Sequence, residues 1–162
     1  MKRKILVGMM SALMIAGMAV PAAASQQEKS VTVTTNIASS FTLSIPSATS
    51  INPGNIKTKM SGVLQVTGNV DADEQVTVSV TTTPLHNTSG GEIDYVITAG
   101  NDTEAFTGDT WNETELRANT PKEISLYVNI AKNDWLQARA GAYTGTVTFT
   151  AQLTNVSSEP ET

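Results

Sequence analysis

Few side chains in this sequence are equipped for covalent or acid–base chemistry, and those few are scattered. His86 is the one histidine, in Pro84-Leu85-His86-Asn87-Thr88, and the chain has no cysteine. A lone imidazole needs positioned partners to move protons, and no second histidine or thiolate stands near it to complete a metal site. The reading taken is a solvated loop side chain. Serine hydrolysis would have to use the same histidine, and no Gly-x-Ser-x-Gly elbow exists. Asp71, Asp73 and Glu74 form one acidic turn, and Asn101, Asp102, Glu104 and Asp109 mark a longer acidic loop. Both offer oxygen ligands of the kind Ca2+ takes, but neither follows the twelve-residue pattern with a central glycine and closing glutamate. Glu113, Glu115 and Glu123 could pair as glycosidase carboxylates only at a separation that sequence does not fix. No catalytic residue, metal ligand or cofactor is therefore assigned, and the chain is read as no enzyme.

The aromatic residues are the remaining candidates for recognition. Trp111 and Tyr127 are the outward candidates for stacking on a glycan, Tyr127 because its parity is opposite to that of its apolar neighbours. Tyr95, Tyr143 and Trp135 fall where a core or an end cap is expected. Asn-x-Ser/Thr triplets begin at Asn87, Asn101, Asn112 and Asn155, and their loop setting agrees with exposure.

The N-terminus sets the compartment. Lys2, Arg3 and Lys4 precede an apolar run from Ile5 to Val20, followed by Pro21-Ala22-Ala23-Ala24 and the polar Ser25-Gln26-Gln27-Glu28. Basic, apolar, then small residues in that order is a helical signal peptide, with cleavage expected after Ala24. The full chain has 162 residues and a formal net charge of −5. Losing three cations with the leader leaves 7 basic against 15 acidic residues, or −8. Nucleic acid and anionic lipid are poor partners for such a chain. No second apolar stretch reaches membrane-spanning length, so no membrane insertion of the mature chain is expected. The location implied is secreted or cell-surface.

Beyond the leader the chain reads as strands. Residues 25–30 are a flexible lead-in, residues 31–154 one domain, and residues 155–162 a polar tail. Val31, Val33 and Ile37 share one face of a predicted strand, and Phe41, Leu43 and Ile45 alternate again up to Pro46. These two segments are either a hairpin or one bent strand. Val63–Val70 and Gln75–Thr81, joined by the acidic turn, are predicted to pair as an antiparallel hairpin. Strands are also predicted over Glu92–Ala99 and Lys122–Ile130. The clearest is Tyr143–Leu153, whose alternate positions are apolar and threonine-rich. Only Ala131–Arg139, before that last strand, has helical character. The fold class expected is all-β: a single antiparallel β-sandwich, immunoglobulin-like or jelly-roll-like, with one short helix before the last strand.

The closing Ala-Gly-Ala-Tyr-Thr-Gly-Thr-Val-Thr-Phe resembles the last strand of bacterial secreted β-sandwich surface proteins, fimbrial or pilin-type subunits among them. The Asn52-Pro53-Gly54 turn, the Gly68-Asn69 step and the alternating Val76–Val80 strand are similar to the camelysin and TasA-like group of matrix-fibre proteins. The chain departs from many pilins in lacking a disulfide and is much shorter than TasA. The resemblance implies a non-enzymatic extracellular structural or adhesive subunit, associating with itself or with other surface proteins. Strand addition through Val31, Val33 and Ile37 would be its physical means. The alternative from another class is a carbohydrate-binding module using Trp111 and Tyr127.

Overall fold

The computed structural model describes residues 29–156. The expected signal peptide and most of the expected polar tail lie outside these residues. The chain divides at Thr35 into two parts. In the first, residues 29–35 are exposed and carry no regular secondary structure. The strand predicted from Val31 to Ile37 is thus absent: Val31 is 87%, Val33 89% and Ile37 75% exposed. An alternating β-branched segment suits a pleated surface only when a neighbour supplies hydrogen bonds and burial, and here none does.

The second part is all-β, built from antiparallel sheets. Strands β1 (Ser40–Ser44), β3 (Leu64–Asn69) and β9 (Glu123–Ile124) form one sheet in the order β1-β3-β9. A second contains β4 (Glu74–Thr82), β8 (Gly108–Asn112) and β11 (Val147–Asn155) in the order β11-β4-β8. A third joins β2 (Lys57–Lys59), β7 (Val96–Ala99) and β10 (Leu126–Asn129) as β2-β10-β7. The two-residue strands β5 (Leu85–His86) and β6 (Glu92–Ile93) make a small ladder. Two short helices complete the order, α1 (Glu113–Leu116) and α2 (Lys132–Gln137).

One shared core holds the sheets together. Leu64 and Val66 from β3, Val76 and Val78 from β4, Ile97 from β7, Trp111 from β8, and Leu126 and Val128 from β10 belong to one buried cluster. Ile124, Val147 and Phe149 pack on it while partly buried. Burial in β4 alternates along Val76, Val78 and Val80, with Thr77, Ser79 and Thr81 on the other face, as the two-residue period requires. The longest ladder pairs β11 with β4 from Val147↔Thr82 to Asn155↔Glu74. It sets Phe149 opposite Val80 and Ala151 opposite Val78 on the inner side.

Several expectations are corrected. β3 and β4 do not form a hairpin, because β3 pairs with β1 and β9 while β4 pairs with β8 and β11. The acidic turn therefore carries the chain from one sheet to another, leaving both valine-rich faces to the common core. Lys122–Ile130 splits into β9 and β10, which belong to different sheets. Glu92–Ala99 likewise breaks into β6 and β7. The polar stretch before Asn112 contains β8, whose Gly108 has φ +148. A Cβ at Gly108 would run into the Val78 carbonyl, so the close approach of β8 to β4 requires glycine there. A second helix is present because Asn112 and Glu115 make a capping box: the Asn112 side chain accepts from Glu115 N (2.9 Å) and Glu115 Oε2 accepts from Asn112 N (3.0 Å). Reciprocal bonds of this kind hold a single helical turn that has no apolar period to announce it.

The last strand starts at Val147, four residues later than expected, since Tyr143 serves another purpose. Its hydroxyl accepts from Arg139 N at 3.1 Å and donates to Arg139 O at 3.0 Å. A tyrosine bonding back to the backbone four residues upstream resembles the tyrosine corner of β-sandwiches and ties down the entry to β11. Two net hydrogen bonds contribute about 1–3 kcal/mol. Tyr143→Phe is expected to lower stability by about that amount, read as a fall in urea midpoint at unchanged m-value. Trp111→Ala, which empties the largest fully buried side chain, should cost more, about 3–5 kcal/mol.

Candidate functional site

The chemistry-bearing side chains are placed apart and are largely engaged in holding the fold. His86 sits on β5, its side chain 57% exposed, with Nδ1 3.4 Å from Glu92 Oε2. Among the described residues no other ion pair includes it. The Glu74 carboxylate accepts from the Ser39 hydroxyl and, at 3.1 Å, from Asp71 N, so it closes the acidic turn from within. Glu113 pairs with Arg117 at 2.5 Å on α1, Glu115 caps that helix, and Glu123 accepts from Gln65 at 3.3 Å. Among the described residues no group of three or more His, Cys, Asp or Glu is arranged to hold a metal ion.

Trp111 and Tyr127 are not brought together as a glycan platform. Trp111 is 0% exposed, its Nε1 donates to Lys122 O at 3.4 Å, and Lys122 Nζ lies 5.0 Å from the ring centroid. Lys122 also meets Asp109 Oδ2 (3.0 Å), Glu115 Oε1 (3.4 Å) and the Thr110 carbonyl (2.9 Å). This cluster ties the start of β9 to β8 and α1 and covers the indole. The outward position assigned to Trp111 is thus corrected: its parity within β8 puts it inside, beside Val76 across the ladder. Tyr127 is half-buried on β10, with Lys57 Nζ 4.5 Å above its ring. A cation already over the face leaves less of it for a sugar.

The feature that sequence reading missed is a cleft of about 630 Å3. One wall is the chain leaving β1, including Ile45, Pro46 and Ile51. Tyr143, from the chain entering β11, and Val147 and Phe149 of that strand line it as well. Tyr95, Trp135, Met60 and Val128 also line it, and among the described residues no Asp, Glu, Lys or Arg does. Tyr95, Tyr143 and Trp135, expected as core or end caps, do pack on the core, and they also form part of this opening. Their polar atoms are satisfied. Tyr95 Oη donates to Thr146 O at 3.1 Å, and Trp135 Nε1 donates to Asn55 O at 2.9 Å. Both β1 and β11 are end strands of their sheets, so among the described strands each has one unpaired edge. The sequence held one signal for the cleft, the aromatic residues clustered at the domain's end, but the distance between β1 and β11 was not written in it.

Neither a protein-family model nor a curated protein sequence matches this chain.

Burial raises the Tyr95 hydroxyl above its ordinary pKa of 10.0. The unfolded chain then releases this proton first, so stability is fully present below pH 10.0 and falls as pH rises through the folded value. Phenolate absorbance should show an ionisation step above the ordinary tyrosine value. In Tyr95→Phe that late step should vanish, and the alkaline fall in stability should become shallower.

Proposed function

We propose that the protein is a non-enzymatic extracellular structural or adhesive subunit that associates by β-strand addition. The observation carrying this reading is the exposed segment Val31–Ile37. It combines strand-forming, alternating apolar residues with 75–89% exposure of Val31, Val33 and Ile37. Such a segment gains both hydrogen bonds and burial only from a neighbour's sheet edge. Exposed apolar residues scattered singly need no explanation, whereas three at strand spacing on an unpaired segment do. Export by a cleaved leader would present this segment near a newly made N-terminus.

The scarcity of uncommitted reactive groups supports a non-enzymatic role, and the acidic body disfavours nucleic acid as a partner. Glycan binding has less support, because the indole meant to carry it lies in the core.

Purified mature protein should form oligomers or fibres, seen by electron microscopy and by size-exclusion elution ahead of the monomer. Deleting Ser25–Asn36 should return the chain to monomer while leaving its folded-state spectrum intact. An unchanged size distribution after the deletion would remove the strand-addition reading.

A further inference from the structure

The outer edge of β11 is a second surface on which copies can meet, and it does not involve the segment that carries strand addition. We propose that two copies pair antiparallel along β11, Ala151 facing Ala151, so that their three-stranded β11-β4-β8 sheets join edge to edge into one continuous sheet.

Edge strands present unpaired N–H and C=O groups, and folded proteins guard them by shortness, charge, proline or bulges. The other end strands of the three sheets are guarded in these ways or are short. β9 has two residues, β2 three and β7 four, and β2 carries Lys57 and Lys59 at its two ends. β8 has five residues and contains Asp109, and β1 also has five. β11 has nine, and from Ala140 to Ser158 the chain has neither a charged residue nor a proline. Nothing in that sequence discourages pairing.

The ladder shows which backbone groups are free. Thr83 N donates to Thr146 O while Val80 N donates to Thr107 O on the other side, so the odd-numbered residues of β4 turn their polar backbone toward β11. Thr148, Thr150, Gln152 and Thr154 stand opposite those residues and are used in the ladder. Val147, Phe149, Ala151, Leu153 and Asn155 therefore direct their N–H and C=O groups outward, as alternation in an antiparallel pair requires.

Self-complementarity then selects the occupant. About a twofold axis at Ala151, the midpoint of β11, every residue from Val147 to Asn155 has a counterpart in the second copy. On the inner face Phe149 meets Leu153 of the second copy, covering a leucine that is 38% exposed in the single chain. On the outer face Thr150 meets Gln152 and Thr148 meets Thr154. No charge is set against a like charge, which matters in a chain of net charge −5. Moving the axis by one residue leaves two residues of each strand unpaired. An edge contact of this length is a small interface, so the pairing is transient and dissociates at the dilution of a size-exclusion column.

Because the chain has no cysteine, introduced thiols report the contact directly. Thr150 and Gln152 are both exposed, and in the proposed register they face each other as a non-hydrogen-bonded pair, where side chains come closest. Mature Thr150→Cys and mature Gln152→Cys chains would be mixed at sub-millimolar concentration under mild oxidation. A parallel mixture would pair Gln152→Cys with Thr103→Cys, which lies in an exposed loop outside β11. Pairing raises the effective concentration of the matched thiols, so the first mixture should give at least about tenfold more disulfide-linked heterodimer than the second. Equal yields would overturn the proposal while leaving strand addition by residues 31–37 standing. Homodimers of either variant outweighing the heterodimer would overturn the axis at Ala151. An excess that appears only after Ser25–Asn36 is deleted would assign this edge to residues 31–37 in the mature chain and overturn pairing between two β11 strands.

Discussion

The whole structure depends on keeping one face of β4 dry. Val76, Val78 and Val80 are buried along it, and the strand pairs with β11 on one side and β8 on the other. With no disulfide to restrict the unfolded chain, burial and ladder hydrogen bonds are the main forces opposing conformational entropy. Three short sheets and a two-residue ladder have little cooperativity separately. They gain it by sharing the cluster that runs from Leu64 and Val66 through Trp111 to Leu126 and Val128.

That dependence explains why apparently reactive groups are occupied. Lys122 bridges β8, α1 and the start of β9 while covering Trp111, and Glu115 both caps α1 and meets Lys122. Each such contact, at roughly one-third exposure, is worth less than about 1 kcal/mol by itself. Their common effect is to close the β8 side of the core. Tyr143 fixes the entry to β11 on the other side through Arg139.

The β1 and β11 side is closed less completely. Along β11 the inner residues Val147, Phe149 and Ala151 are only half-buried, and Leu153 is 38% exposed. β1 shows the same half-burial at Phe41 and Leu43. An all-β body with two such edges and an unpaired apolar segment has complementary unmet needs within one polypeptide. In the proposed reading, association meets both by the same hydrogen bonds and burial that build the sheets.

Much of the fold was legible because strand formation leaves a local trace. Alternation at Val76–Val80, Leu126–Val128 and Val147–Phe149 identified inner faces correctly, since side chains on a pleated strand must alternate whatever the strand pairs with. Partner choice leaves no comparable trace: β3 and β4 have the alternation and short connection of a hairpin, yet they lie in different sheets. Trp111 was misplaced because a polar neighbourhood, Asp109-Thr110-Trp111-Asn112, says nothing of what crosses over the ring. The segment Val31–Ile37 shows the opposite limit, strand-like in pattern but unpaired in space. Residue order alone carries the all-β class and the faces turned inward, because two-residue periodicity and side-chain polarity are local properties. Which edges remain open and where the cleft lies emerge on folding, because both depend on contacts between residues far apart in the chain.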